Sequence, residues 1–377
     1  MVVGRDAAGQ GLRVTVADGV ITSIDPAGEG PYLSAGLVDL QVNGYGGIDL
    51  NSGAVTADEV LALVGRMLDL GVTRFLPTLT TASEESLVAA LRAIAAARQA
   101  SALARHVIPF VHMEGPSISP VDGPRGAHPA EHVRPPSLAE FQRWQASSGG
   151  LVGMVTLAPE LPRALRYIDE LASRGVHVAL GHCAATPEQI EMAVEAGARL
   201  STHLGNGAAA MLPRHPNFIW TQLACDQLTA SFIADGHHLP ADTLRAMLRA
   251  KGLARAVLVS DSVALGGLSA GRYTQKIGGA VELSVEGRIS VVGTPYLAGA
   301  ALPLLDDIAI AIEAAELSLA EALPLATVNP GRFAGGAGRL EVGAPADLIR
   351  FDWEPDAPRL AIREVIVMGR PWEGRLW

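Results

Sequence analysis

Two histidines, His182 and His203, each close a short β-type run, and an amphipathic stretch lies between the two runs. The runs are residues 177–182 and 199–203, and residues 187–197 have apolar side chains at helical spacing. In a parallel sheet both imidazoles would face one end, which is where α/β enzymes place their chemistry. Such a pair favours a metal site, but a hydrogen-bonded structural role remains open on these two residues alone.

Other strand-like runs of the chain also end in polar residues. These strand-end residues are Asp39, Gln41, Asn43, His112, Glu114, Asn206, Asp235, His238 and Asp261. Any one of them could cap a helix or hold a turn. One carboxylate with two imidazoles leaves coordination positions open on a divalent ion, as in catalytic rather than structural zinc sites. Gathered at one face, these residue types predict a metal-dependent hydrolase.

The elements that must position these residues alternate along the middle of the chain. The strand-like runs are residues 37–42, 74–78, 107–113, 152–157, 177–182, 199–203, 230–234 and 256–259. Most gaps between them contain an amphipathic helical stretch, for example residues 57–70 and 84–98. Eight such units predict a (β/α)8 barrel, and a doubly wound open sheet is the alternative that the same pattern allows.

Both ends of the chain have a different, all-β character. Residues 12–25 are typical of a hairpin, and residues 347–351 and 362–368 are again strand-like. We therefore expect a small β-sandwich domain that is built from both termini, with the barrel inserted between its halves. The expected boundaries are 1–34 and 338–377 for the small domain and 35–337 for the barrel.

Composition limits the classes of function. The 377 residues are 49% hydrophobic and 18% charged, and the net charge of −10 argues against a nucleic-acid or anionic-membrane partner. The two cysteines, Cys183 and Cys225, form no metal-binding pair by spacing, which predicts a reduced, cytoplasmic protein. The chain begins without an apolar signal core, and no apolar run is long enough to span a bilayer. The alanine-rich residues 308–322 carry acidic side chains and are expected to form a surface helix.

A set of motifs resembles the N-acetylglucosamine-6-phosphate deacetylase family of the amidohydrolase superfamily, nearly from end to end. The motifs are AGLVDLQVNGYGGIDLN (35–51), PTLTT (77–81), HMEGP (112–116), RGAHP (125–129), GHCAAT (181–186), THLGNG (202–207), IADGHHL (233–239), VSDS (259–262), GTPYLAGAALPL (293–304), NPGR (329–332) and GAPADLI (343–349). The resemblance implies a deacetylase that releases acetate from an N-acetylated amino sugar phosphate.

The resemblance also implies the roles of individual residues. Glu114, His182 and His203 become metal ligands, Asp261 becomes the acid/base, and His128 polarises the acetyl carbonyl. His238 would contact the sugar. Many amidohydrolases carry His-x-His after the first strand and hold a second metal there.

In this chain Gln41 and Asn43 occupy those two positions. Amide side chains are poor ligands beside imidazole. We therefore expect one divalent ion per chain. Zinc is expected, although iron, manganese and cobalt share these ligands.

The phosphate side of the site departs most from the family. Asn206 is kept, but Gly207 follows where the family usually has alanine. Arg214 matches the phosphate-binding arginine of the family, although the residues around it differ from the family pattern. A guanidinium group can donate two parallel hydrogen bonds, which suits a phosphate. The resemblance further implies a homodimer with substrate contacts shared across the interface.

Three alternatives stay open from the sequence. The chain could deacetylate an unphosphorylated or otherwise different amino sugar, or it could act on an N-acyl amino acid. It could also be a catalytically silent amidohydrolase fold that is kept for assembly. A site that no longer has to catalyse a reaction is expected to lose some of its catalytic residues. The silent protein is therefore disfavoured, because the chain retains all of Glu114, His182, His203 and Asp261.

Overall fold

A computed structural model describes residues 1–275, 279–294 and 296–377 of the chain. At its centre lie eight parallel strands whose order in the sheet follows their order in the sequence. The barrel strands are Leu37–Val42, Val72–Thr80, Val111–Glu114, Val152–Leu157, His177–Leu180, Leu200–Ser201, Thr229–Phe232 and Ala256–Leu258. A parallel bridge between Val42 and Ser262 joins the first strand to the segment after the eighth.

The strands are apolar on both faces because the barrel interior and the surrounding helices bury them. Val38, Leu76 and Val257 fill the interior, and none of the three is exposed. The longer helices that cover the outside are Ala57–Asp69, Glu84–Ala100, Leu138–Ser148, Ala164–Ala172, Pro187–Glu195, Phe218–Ala224, Ala241–Lys251 and Leu304–Ala315. Shorter helical segments are Ala102–Val107, Ala130–His132, Leu253–Arg255, Leu319–Ala322, Leu323–Ala326 and Val328–Gly331.

Both chain ends contribute to one seven-stranded sheet outside the barrel. Its strands are Val2–Arg5, Gly11–Ala17, Val20–Pro26, Tyr32–Ala35, Leu348–Asp352, Ala361–Val367 and Arg370–Pro371. The strand Leu348–Asp352 pairs antiparallel with Tyr32–Ala35, which ties the end of the chain to its beginning. The predicted fold class, a (β/α)8 barrel with a small β structure from both termini, is confirmed.

Two sequence-based expectations are corrected by the structure. The third strand begins at Val111 rather than at residue 107, because Ala102–Val107 is a helix whose first turn is capped by Ser101. The helix Leu304–Ala315 is mostly buried, not a surface helix over residues 308–322, because it packs against the helix Ala241–Lys251 and the last barrel strand. Its alanines and isoleucines fill that contact, and the acidic side chain of Glu313 faces out.

The structure also contains a four-stranded antiparallel sheet that was not predicted, and this sheet follows the eighth barrel strand. Its strands are Gly271–Gln275, Gly279–Leu283, Arg288–Val291 and Leu297–Ala300. A small core of its own, which includes Val281, Leu283 and Ile289, holds it together. No helix in the described ranges is both long and apolar enough to cross a bilayer.

Candidate active site

A cavity of about 360 Å³ opens at the carboxyl end of the barrel strands. The predicted site residues that line it are Glu114, His128, His182, His203, Asn206, Gly207, His238 and Asp261. These residues come from several separate strand ends and loops, and the barrel brings them to one face because parallel strands all end there. Arg214 is the exception, since its side chain is exposed and does not line this cavity.

Glu114 is the centre of the cluster at the bottom of the cavity. Its Oε1 lies 2.8 Å from His203 Nε2 and 3.3 Å from His182 Nε2. Gln41 Nε2 donates a third hydrogen bond to the same oxygen at 3.0 Å. Glu114, His128 and His182 also offer one ligand atom each within 4.8 Å of one another. Three imidazoles therefore surround one carboxylate, and among the described residues the triad with all ligand atoms this close contains His128 and not the predicted ligand His203.

The fit to a metal ion can be tested on these distances. A tetrahedral zinc site with bonds of about 2.0–2.1 Å separates its ligand atoms by about 3.3 Å. His182 Nε2 already lies 3.3 Å from Glu114 Oε1, as two ligands of one ion would. His203 Nε2 lies closer to the same oxygen, at 2.8 Å, so His203 and Glu114 would have to move slightly apart to bind one ion together. The donor set of one carboxylate and two imidazoles is also that of catalytic zinc sites. These residues fit a divalent metal ion.

The backbone turns sharply where three of the site residues leave their strands. His182, His203 and Asp261 have φ values of 48°, 28° and 48°, in the left-handed region that non-glycine residues seldom adopt. Such backbone costs of order 1–3 kcal/mol at each position and is found mainly at functional sites. The turns aim these side chains across the mouth of the barrel.

His182 is held in one tautomer and one orientation. Its Nδ1 donates to the main-chain oxygen of Pro124 at 2.8 Å, which leaves the Nε2 lone pair directed towards Glu114. Gly207 packs on the same ring, since a Cβ there would lie 2.6 Å from His182 Nδ1. Glycine at 207 therefore leaves room for the imidazole as well as lining the cavity.

The surroundings shift the pKa values of the ionisable groups in the site in different directions. Burial opposes ionisation of Glu114, yet hydrogen bonds from His182 and His203 hold its pKa well below the usual range. Burial also opposes protonation of His203, but the bond with Glu114 raises the pKa of that imidazole. Burial and the charge of Glu114 raise the pKa of Asp261 to about 6. Burial and the neighbouring His182 lower the pKa of His128 to about 3, so His128 is neutral.

Partners that the sequence reasoning did not assign hold several of these side chains. Thr81 Oγ1 lies 2.8 Å from His128 Nδ1, and Asp235 Oδ2 lies 2.7 Å from His238 Nδ1. Asn43 Nδ2 donates to Asp261 Oδ1 at 2.6 Å. The sequence does mark these three residues, because Thr81 ends the PTLTT motif and Asp235 and Asn43 are strand-end residues. It does not show which side chains they contact, because those contacts depend on the geometry of the barrel.

The four-stranded sheet also reaches the site. Gln275, Tyr296 and Leu297 of this sheet and its connections line one side of the cavity. The ring Nε2 of His237 lies 3.1 Å from the main-chain oxygen of Glu286, at a turn of the same sheet. No residue of this sheet was predicted at the site, because antiparallel strands give no sign of which surface they will cover.

The fold and the site together are those of a barrel hydrolase with a carboxylate–imidazole cluster that fits a metal ion. A model of the amidohydrolase family matches residues 32–371 of the chain. The chain belongs to the amidohydrolase family, as the motifs predicted.

Relatives and solved structures show what this chain is similar to. It is 37% identical over 341 residues to the N-acetylglucosamine-6-phosphate deacetylase of Bos taurus, covering 86% of this chain and 80% of the bovine one. It is 32% identical to the N-acetylgalactosamine-6-phosphate deacetylase of Escherichia coli O157:H7, with 90% of both chains covered. A variant of the Mycobacterium smegmatis N-acetyl-D-glucosamine-6-phosphate deacetylase, solved with that sugar phosphate, superposes with a TM-score of 0.86 at 28% identity. That match covers 96% of this chain and 94% of the mycobacterial one.

Proposed function

We propose that this protein hydrolyses the N-acetyl group of N-acetylglucosamine-6-phosphate to glucosamine-6-phosphate and acetate. The observation that carries the proposal is the convergence of His182 and His203 on Glu114, with Asp261 lining the same cavity. The names of the bovine and mycobacterial relatives supply the substrate. A second candidate is the galactosamine epimer, because the Escherichia coli relative is named for it.

In this proposal Glu114, His182 and His203 hold one divalent ion, which we expect to be zinc. The ion supplies Lewis acidity, which lowers the pKa of a water molecule and polarises the acetyl carbonyl. Asp261 takes the proton of the attacking water and returns it to the sugar nitrogen, which is too basic to leave unprotonated.

His128 stabilises the negative charge that develops on the acetyl oxygen. If the Thr81 hydroxyl donates to Nδ1, the proton of the neutral imidazole resides on Nε2, where it can be donated to that oxygen. His238 is anchored through Nδ1 to Asp235, so its other nitrogen is available for a sugar hydroxyl. Asn206 and Gly207 are assigned to the phosphate.

Arg214 completes the phosphate site of a second copy of the chain in this proposal. The side chain is exposed and lies outside the cavity of its own barrel. Large apolar side chains nearby in sequence are exposed as well, with Met211 at 89% and Trp220 at 54%. A homodimer would cover them and could bring Arg214 to the partner's cavity.

Two further parts of the proposal concern the whole chain. We assign residues 1–34 and 338–377 to a small β domain and residues 35–337 to the catalytic barrel. We also assign the protein to the cytoplasm, a placement supported by its two unpaired cysteines, Cys183 and Cys225.

The test is acetate release from four sugars under identical conditions. They are N-acetylglucosamine-6-phosphate, N-acetylgalactosamine-6-phosphate and the unphosphorylated form of each. We expect the highest kcat/KM for N-acetylglucosamine-6-phosphate. Equal rates with and without phosphate would contradict the phosphate assignment, and no release from any of the four would contradict the deacetylase.

Arg214→Ala tests the contact across the dimer. We expect KM for the phosphorylated sugar to rise about ten- to a hundred-fold, since a charge-assisted hydrogen bond contributes roughly 1.5–3 kcal/mol. Arg13→Ala, an exposed arginine on the terminal sheet, is the matched control and should leave KM unchanged. Mixing Arg214→Ala with Asp261→Asn chains should then restore activity, because each mixed dimer regains one intact site. No restoration after verified subunit exchange would place Arg214 outside the partner's site.

A further inference from the structure

Asn43 has a side chain whose only hydrogen-bond partner in the described parts of the chain is Asp261. Its Nδ2 lies 2.6 Å from Asp261 Oδ1 and 3.4 Å from the main-chain oxygen of the same residue. Asn43 Oδ1 is buried and has no partner among the described residues, and Asn43, which is only 7% exposed, lines the cavity. A side chain kept for packing would be expected to have both ends of its amide satisfied.

The orientation of this amide follows from the chemistry of its neighbour. Both Asp261 atoms that face it are oxygens, and a carboxylate or carbonyl oxygen accepts hydrogen bonds. Only the NH2 end of Asn43 can lie against them, because the reversed amide would set one acceptor against two others. One carboxylate oxygen of Asp261 is therefore occupied, and Oδ2 is the oxygen left for other partners.

Barrel closure does not depend on this side-chain contact. The main-chain amides of Asn43 and Gly44 donate to the oxygen of Ser262 at 2.8 and 3.2 Å. Those bonds join the first strand to the segment after the eighth through backbone atoms alone. The side-chain amide thus acts on Asp261 and not on the closure of the barrel.

We propose that Asn43 is a positioning residue that fixes Asp261 so that Oδ2 alone carries the proton in the reaction. The inference rests on the proposed function and deepens it. The proton leaves the attacking water for Oδ2 as the water oxygen bonds to the acetyl carbon. It passes from Oδ2 to the sugar nitrogen as the C–N bond breaks, which yields the free amine and acetic acid. The second proton of the water leaves the acetic acid to solvent and gives acetate. Without Asn43 the carboxylate can rotate, and small displacements of a catalytic group are costly in rate.

The experiment is a double-mutant cycle between Asn43→Ala and Asp261→Asn, read as kcat and KM for N-acetylglucosamine-6-phosphate. We expect Asn43→Ala to lower kcat about tenfold, with KM within about twofold of wild type. In the Asp261→Asn background the same change should alter kcat by less than about twofold, because the proton carrier is already lost. Metal content should stay at the wild-type value in all four proteins.

Asn51→Ala is the matched control. Asn51 lines the same cavity, but its amide bonds the main chain of Thr78 and Thr80, at 3.1 and 2.8 Å, rather than Asp261. Asn51→Ala should change kcat by the same factor in the wild-type protein and in the Asp261→Asn variant. If Asn43→Ala also gives equal factors in both backgrounds, or leaves kcat unchanged, the positioning role is wrong.

Asn43→Asp keeps the size of the side chain and serves if the alanine variant does not fold. It places a carboxylate against Asp261 Oδ1, so its loss of kcat should exceed that of Asn43→Ala and should shrink in the Asp261→Asn background. If the wild type hydrolyses none of the sugars tested, the proposed function fails. The positioning claim is then judged by crystal structures of wild type and Asn43→Ala. An unchanged Asp261 carboxylate plane would overturn it.

Discussion

Two buried clusters, each of a carboxylate with histidine, lie at opposite ends of the barrel and are built differently. At the amino end, Asp347 connects the sheet of the chain ends to the barrel. Both of its oxygens lie 2.8 Å from His106 Nε2, Oδ1 also accepts the Met368 amide at 2.9 Å, and Oδ2 lies 3.5 Å from Arg74. Every oxygen of Asp347 has a partner, as expected of a structural ion pair.

At the carboxyl end, Glu114 also faces histidines, but the polar atoms around it are incompletely paired. His203 Nδ1, Asn43 Oδ1 and Thr80 Oγ1 are buried and have no hydrogen-bond partner among the described residues. Buried polar atoms without partners are costly, so a fold retains them where a ligand completes them. Around Asp347 one such atom, Arg74 Nε, lacks a partner among the described residues, but both carboxylate oxygens are paired. The same residue types thus serve stability at one end and chemistry at the other, and fewer polar atoms are left unpaired at the structural end.

The largest expected effect is at the carboxyl end. Asp261→Asn keeps the size and much of the hydrogen bonding of the side chain but cannot carry a proton. We expect kcat to fall at least ~10²-fold while the metal stays bound and the melting temperature changes little. Steady-state kinetics with metal analysis checks this. Near-normal turnover would remove Asp261 from the mechanism and weaken the contrast between the two ends.

The amino-end cluster should respond in the opposite way. Asp347→Asn leaves His106 and Arg74 without their charge partner, and we expect about 3 kcal/mol of lost unfolding free energy, since breaking a buried pair costs on that scale. The kcat of the folded fraction should be unchanged. Asp352→Asn, which breaks an exposed pair with Arg363 on the same sheet, is the control and should cost at most about 1 kcal/mol. Denaturant titration gives the comparison, and equal losses would show that the Asp347 pair is not structural.

A third, smaller effect concerns Asp307, which neither end uses. It is fully buried, and neither of its oxygens has a hydrogen-bond partner in the part of the chain that the structure describes. Burial together with Asp235 and Asp39 raises the pKa of Asp307 well above 3.8. Its neutral form is favoured in the folded state, so the stability it contributes is present at low pH and is lost as pH rises towards its folded pKa. Asp307→Asn cannot ionise and should flatten this dependence.

We expect the free energy of unfolding of Asp307→Asn, relative to wild type, to rise with pH by up to about 1.4 kcal/mol per unit above pH 3.8. Denaturant titrations at several pH values measure the difference. A constant difference across the range would mean that the carboxyl is not held neutral.

Much of the site could be predicted from sequence because it depends on local periodicity. A strand that ends in histidine can be recognised in a short window, and the barrel carries every such end to one face. The strand-end positions of His182, His203 and Asp261 could be predicted in this way, whereas their expected roles came from the resemblance to the family. The positive φ angles that aim them were not predictable, because histidine and aspartate carry no local signal for that backbone.

The contacts that complete the site depend on residues far apart in the chain. Asn43 and Asp261 are 218 positions apart and meet only because the barrel closes. The helix Leu304–Ala315 misled for a related reason. Its Glu313 is exposed, as the charge indicates, but most of its alanines and isoleucines are buried by elements distant in the chain. Arg214 shows a third cause, because the sequence identifies a cation but not where its side chain lies, and that side chain is exposed outside the cavity.

The most direct test of the difference between the two ends is the metal content of purified wild type, Glu114→Gln and Asp347→Asn after stripping and reloading with zinc. If the carboxyl-end cluster is a single metal site, wild type and Asp347→Asn will each hold about one ion per chain, and Glu114→Gln will lose most of it. A reproducible two ions per chain in wild type would contradict the single site. Full retention in Glu114→Gln would contradict the assignment of Glu114 as a ligand.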